Sequence, residues 1–196
     1  HVQLGQDLDG ESAADHMGWG VSLSLDGTIV AIGAPENDGV NGADSGHVQV
    51  LKWGDATDQW EKLGDDIDGE SAGGFSGMSV SLSADGTIVA IGAPKNSGIN
   101  GSLTGHVRVY QWNGTDNQWE RLGQDIDGTA AESYVAAIHQ GHAVSLSADG
   151  GRVAIGAHEV NTRKGYARVY QWGAGTAEWE HLGADIDGES DYDQSG

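Results

Sequence analysis

Cysteine is absent from this chain, phenylalanine occurs once, and proline and methionine occur twice each. Without cysteine there are no disulfides, no thiolate chemistry and no cysteine-ligated zinc. Basic residues are also few: 9 Lys+Arg stand against 30 Asp+Glu, a formal net charge of -21. Such a surface repels phosphate backbones, which excludes nucleic acid as a partner class and disfavours an anionic membrane surface. It suits cations, basic partners and salty surroundings. No apolar run has the length of a membrane span or the layout of a signal peptide. Helical patterning is nearly missing too. The exception is residues 129–141, "TAAESYVAAIHQG", where "AAESYVAAI" predicts one or two helical turns.

What the chain has in excess is glycine, 33 residues, and tryptophan, 7 residues in a chain of 196. The glycines lack the strict triplet period of collagen, which points to many tight turns between short strands. They also mark a repeat. "LGQDLDGES" begins at Leu4, "LGDDIDGES" at Leu63, "LGQDIDGT" at Leu122 and "LGADIDGES" at Leu182, a period of about 60 residues. "TIVAIGAP" at 28–35 recurs letter for letter at 87–94, and "GRVAIGAH" stands at 151–158.

Each unit reads as four strands. "VSLSL" or "VSLSA" alternates apolar with small polar residues; "DGT" or "DGG" is a hairpin signal; and "TIVAIGA" is apolar on both sides, as a strand covered on both faces would be. After a Gly/Asn/Asp-rich loop, "HVQVLKW" alternates again, and a short turn leads to "QWEKLG". Tandem units of four antiparallel strands predict an all-β chain built from blades of a β-propeller, since a lone four-stranded sheet leaves both apolar faces wet. A β-sandwich and an open solenoid are the alternatives. The boundaries expected are 1–5 as the last strand of a preceding blade, 6–63, 64–122 and 123–183 as three blades, and 184–196 as a linker into a following blade. Three blades close a ring poorly, so the expectation is an excerpt of a larger propeller or a protomer that completes its ring with copies of itself.

The stretches "GWGVSLSLDGTIVAIGAP…GHVQVLKW" and "GMSVSLSADGTIVAIGAP…GHVRVYQW" resemble the FG-GAP repeat, and "GHAVSLSADGGRVAIGAH…GYARVYQW" matches less closely. That repeat builds propeller heads of integrin α subunits and of many microbial and algal surface proteins. The resemblance implies an extracellular or cell-surface location and an adhesive or ligand-binding role. It also assigns "GAP" a purpose: Gly and Ala leave room between blades, and Pro ends the strand. Many such repeats carry a calcium loop between their first two strands. Here Asp26, Asp85 and Asp149 stand alone in short turns, too few donors for the roughly six to eight oxygens calcium takes.

A metal reading falls instead on the Asp-x-Asp-Gly-Glu element: Asp7, Asp9 and Glu11; Asp66, Asp68 and Glu70; Asp125 and Asp127, with Thr129 in place of the acid; and Asp185, Asp187 and Glu189. Alternating carboxylates in a Gly-containing turn suit calcium or magnesium; a linker whose Asp side chains cap backbone amides explains the repetition equally. Asn37, Asp38, Asn41 and Asp44 form a second candidate loop, against a plain Gly/Asn loop. His47 and His106 occupy equivalent positions, with Tyr166 in the third unit, which reads as packing. His139, His142 and Glu132 are a transition-metal trio to set against a chance cluster, and His1 is a lone candidate ligand. Six Trp recur as Trp53/Trp60, Trp112/Trp119 and Trp172/Trp179, a structural pair across an outer hairpin rather than a sugar platform; Trp19 does not recur. Asn100 and Asn113 head glycosylation sequons.

No nucleophile elbow, phosphate-binding loop or zinc-protease motif is present. The leading expectation is a non-enzymatic propeller module for adhesion, assembly or binding of a protein or glycan ligand through its rim loops. A carbohydrate-active propeller enzyme and a structural subunit of a surface filament are the alternatives.

Overall fold

The computed structural model describes residues 3–128, 141–157 and 165–190. The expected helical turns at 129–141 lie almost wholly outside the described residues, as do His1, Glu132, His139 and His158. Three antiparallel sheets follow one another along the chain. The first is β1 (Val21–Leu23), β2 (Ile29–Ala34), β3 (His47–Gly54), β4 (Gln59–Lys62) and β5 (Ile67–Asp68). The second is β6 (Ser79–Leu82), β7 (Ile88–Ala93), β8 (His106–Asn113), β9 (Gln118–Arg121) and β10 (Ile126–Asp127). The third is β11 (Ala143–Leu146), β12 (Arg152–Ala157), β13 (Tyr166–Gly173), β14 (Glu178–His181) and β15 (Ile186–Asp187). In each sheet the strands run in chain order, 1-2-3-4, and the two-residue fifth strand returns to the third.

That fifth strand departs from the sequence reading. The Asp-x-Asp-Gly segment, taken as the start of the next unit or a linker, pairs within its own sheet: His47↔Asp68 and Val48↔Ile67, and again His106↔Asp127 and Tyr166↔Asp187. The outer strand is broken at its Leu-Gly corner and then resumes, so each sheet reaches beyond the boundary drawn at 63/64 and 122/123. Two residues of strand carry no periodicity to read.

The sheets stack face to face. Ile29, Ala31, Val48, Val50 and Ile67 of the first pack on Val80, Leu82, Val89 and Ile91 of the second. The other face of the second, with Ala90, Val107, Val109 and Ile126, packs on Val153, Ile155 and Trp179 of the third. The "IVAI" strand is therefore sandwiched on both sides, as its unbroken apolar run predicts. Val21 of β1, the counterpart of Val80, is 59% exposed where Val80 is 8% exposed. That face of the first sheet is covered only in part, by Leu8, Met17 and Trp60 around Val30, Ile32 and Leu51.

The serines of "VSLS" link neighbouring blades. Ser22 Oγ accepts from the Leu82 amide at 2.9 Å, and Ser81 Oγ from the Leu146 amide at 2.9 Å. Ser24, Ser83 and Ser147 instead donate to Asp26, Asp85 and Asp149 in the β-turns. Those three carboxylates are held below the usual range by turn hydrogen bonds. Their oxygens serve the turns.

The outer rim is clamped by tryptophan. Trp53 faces Trp60, Trp112 faces Trp119 and Trp172 faces Trp179 across the β3–β4 type hairpin, with ring centroids 5.4–5.5 Å apart. Each second indole donates to the carbonyl of the Leu closing the preceding unit: Trp60 to Leu4, Trp119 to Leu63 and Trp179 to Leu122. Gln6 and Gln124 each add a two-way amide clip to the backbone of Trp60 and Trp179, at 2.9–3.0 Å. Asp65 holds that place at the middle junction, and a carboxylate has no N–H to give to Trp119 O. Asp65→Gln is expected to complete the clip and raise the unfolding free energy by about 1 kcal/mol, read as a higher urea midpoint with unchanged slope; an equal or lower midpoint counts against it.

Candidate functional site

The antiparallel order puts all long connections on one rim: residues 35–46 and 94–105 between second and third strands, and 10–20 and 69–78 leading into the first strands. Among the described residues, the opposite rim carries only tight turns. At the tips of two long loops, Gly39↔Gly42 and Gly98↔Gly101 bridges raise Val40 and Ile99, which are 85% and 88% exposed. The Asn beside each tip anchors the loop: Asn41 Nδ2 donates to Gly69 O and Asn100 Nδ2 to Gly128 O, both at 2.7 Å. The sequon residue Asn100 thus repeats a loop-fixing Asn that has no sequon in the first unit. Asn113 lies on the other rim, where its amide donates to Asp116 and Glu120.

On the first blade's long-loop rim, Glu11, Asp15, Glu36, Asp38 and Asp44 line a cleft of about 300 Å³. Its floor is built. Asp15 is buried and accepts from the Ser12 amide at 2.9 Å and from buried Asn37 at 3.0 Å. Asp38 Oδ1 accepts from the Asp44 amide, and Glu36 lies 2.9 Å from His16. Of the second loop candidates, Asn37, Asp38 and Asp44 meet at this cleft, while Asn41 turns away to Gly69.

The Asp-x-Asp-Gly-Glu carboxylates do not gather within one copy. Among the described residues, ligand-type groups converge between copies: Glu11 of the first copy meets Asp66 of the second around His47, and Glu70 of the second meets Asp125 of the third around His106, all donor atoms within 4.8 Å of one another. Glu11 and Glu70 leave the preceding unit, His47 and His106 open β3 and β8, and Asp66 and Asp125 sit just before β5 and β10. Asp7 and Asp9 are exposed, with Asp7 held by Gln3. Asp68 and Asp127 are half-buried, and burial pushes both carboxyls up. Asp187 and Glu189 are exposed.

The two clusters differ at one residue. In the second blade Arg108 lies between the acids, with Nε 2.7 Å from Asp125 Oδ1 and Nη2 2.6 Å from Glu70 Oε2. Burial pushes Asp125 up, but the guanidinium outweighs it and the net shift is downward. His106 is pushed down to about 4 by burial and then by Arg108, and Asn96 Nδ2 meets its Nδ1 at 2.8 Å. In the third blade Arg168 grips Asp185 the same way, at 2.9 and 2.6 Å, and its hydrogen bonds hold that carboxyl below the usual range. In the first blade the residue is Gln49, whose amide reaches Glu11 and Asp66 at only 3.3 and 3.4 Å.

The His/His/Tyr exchange at 47, 106 and 166 reads as packing in the sequence, and each acidic copy reads as a ligand set of its own. The usable signal was the alternation Gln49, Arg108, Arg168 two residues after the His/His/Tyr position: a neutral residue where the other units place a cation.

The FG-GAP repeat family model matches residues 8–51. Among solved structures, the periplasmic gluconolactonase PpgL of Pseudomonas aeruginosa superposes with a TM-score of 0.56 at 16% identity, covering 87% of this chain and 40% of that one. Sqt1 of Saccharomyces cerevisiae gives 0.52 at 12% identity, covering 89% and 37%. The chain spans about two fifths of the length of these structures, and the likeness shows the fold alone. A comparison with curated protein sequences returns no match. Residues 8–51 are thus similar to the FG-GAP repeat, and the chain folds as blades of a β-propeller.

Proposed function

We propose that this chain is a non-enzymatic extracellular or cell-surface binding module that takes a basic segment of a protein ligand on its long-loop rim. The observation that carries the reading is the acidic cleft of Glu11, Asp15, Glu36, Asp38 and Asp44, set in a chain of net charge -21. The exposed tips Val40 and Ile99 of the first and second long loops add apolar contact surface to the same rim. A rigid scaffold with variable rim loops is the usual division of labour for a binding protein. The competing reading, a carbohydrate-active propeller enzyme, takes its support from the gluconolactonase likeness.

One set of measurements separates the two. Immobilised chain is exposed to polylysine, to a glycan array and, in solution, to gluconolactone. The expected result is salt-sensitive polylysine binding, weakened severalfold by the triple change Glu36→Gln, Asp38→Asn, Asp44→Asn, with lactone hydrolysis at the buffer rate. Lactone hydrolysis above buffer establishes the enzyme; glycan binding without polylysine binding replaces the basic ligand by a sugar.

A further inference from the structure

We infer that Glu11, His47 and Asp66 form a binding site for a divalent transition-metal cation of the zinc class, at the place where the second blade holds the Arg108 guanidinium. Three observations carry this. First, one imidazole nitrogen and two carboxylate oxygens lie within 4.8 Å of one another. A zinc ion with ligands near 2.1 Å needs them about 3.4 Å apart, a closure that the exposed Glu11 side chain supplies by rotation.

Second, His47 is 3% exposed, yet its ring makes no hydrogen bond among the described residues. Its counterpart His106 is met by Asn96 at 2.8 Å. The first blade's Asn37 is turned instead to Asp15. Asp68 acts on this ring only through charge; a buried imidazole whose lone pair accepts no hydrogen bond is costly, and a metal beside two carboxylates uses it.

Third, the cation that balances this cluster in the other blades is missing. Arg108 is 14% exposed and binds Glu70 and Asp125; Arg168 is also 14% exposed and binds Asp185. Gln49 is neutral. Lys62 approaches Asp66 at 2.9 Å and Glu11 at 3.8 Å, but it is half exposed. An exposed lysine of this kind contributes little and turns readily to solvent. One nitrogen donor among oxygens favours zinc over calcium, for which imidazole is a poor ligand. Three protein ligands also leave a coordination position for water or an incoming group. The assignment does not depend on the rim reading, because zinc and polylysine binding are measured separately.

The test is calorimetric titration of the chelator-treated chain with zinc and, separately, calcium. The expected result is one zinc per chain, with calcium at least about tenfold weaker. Gln49→Arg, which installs the second blade's own solution and so suits the fold, is expected to weaken zinc about a hundredfold or more. Arg108→Gln combined with Asn96→Ala, which removes both the guanidinium and the amide that occupies the His106 lone pair, is expected to add a second zinc at Glu70, His106 and Asp125. His47→Tyr, the residue type of the third blade, removes the nitrogen and the binding. A wild-type chain that takes no zinc, or zinc binding unchanged in Gln49→Arg, overturns the site. An Arg108→Gln, Asn96→Ala chain that gains no second zinc overturns the claim that the guanidinium holds the cation's place.

Discussion

Gly33→Ala is expected to lower the unfolding free energy by about 3 kcal/mol, the upper part of the range for forcing an added group into a packed interior. A Cβ on Gly33 would stand 1.9 Å from Gly77 O, 2.7 Å from Gly77 C and 2.9 Å from Gly77 Cα. All three atoms are backbone of the next blade, so no side chain can rotate to make room. The blades must separate along the Ile29–Ile91 core or β2 must leave its register with β3. The same spacing recurs at Gly92, whose Cβ would meet Gly141 O at 1.9 Å. Gly175→Ala is the matched control: nothing lies within 4 Å of its added Cβ, and the change is expected to shift stability by less than about 1 kcal/mol. Urea unfolding followed by tryptophan fluorescence measures both. Equal midpoints for Gly33→Ala and wild type would mean that the blades are not held at this distance.

This close approach shows what the sequence made legible. "IVAIGA" written repeatedly announces a strand buried on both faces, and its Gly-Ala ending announces a tight junction; Gly33 against Gly77 is that junction. The Trp pairs were legible for the same reason, since spacing across a short hairpin sets the partner directly. What was not legible was which side chains of successive units meet. Glu11 and Asp66 look alike in sequence and belong to successive copies, and only the inter-blade geometry brings them to one imidazole. The fifth strand was hidden because two residues cannot show a period.

The second large effect is on acid stability, and it comes from His106. Its folded pKa is pushed down from 6.5 to about 4, by burial and then by the Arg108 charge, against the opposing pull of Asp125 and Glu70. The geometry gives the same direction. Asn96 Nδ2 is donated to His106 Nδ1 at 2.8 Å and to Glu70 Oε2 at 3.1 Å, while Asn96 Oδ1 accepts from Ser71 Oγ. A proton on Nδ1 would set donor against donor. Between pH 6.5 and 4 the unfolded chain therefore binds a proton that the folded chain refuses, and stability falls as pH falls, by about 3 kcal/mol across the window. Asp68 and Asp127, whose carboxyls are pushed up, act with the opposite sign: their contribution is present at low pH and is lost as pH rises through their folded pKa values. Asp125, pushed down, contributes above the ordinary carboxylate range and loses its contribution only below it. The His106 effect is isolated by difference, with His106→Tyr as reference, because a tyrosine fills the equivalent position in the third blade and a phenol, with an ordinary pKa of about 10, stays neutral in this window. Unfolding free energies at pH 7, 6, 5 and 4.5 should converge between the two chains as pH falls, with wild type losing the additional stability. Parallel pH profiles would show that His106 takes up its proton in the folded chain as readily as in the unfolded one, and that burial, Arg108 and Asn96 do not hold it neutral.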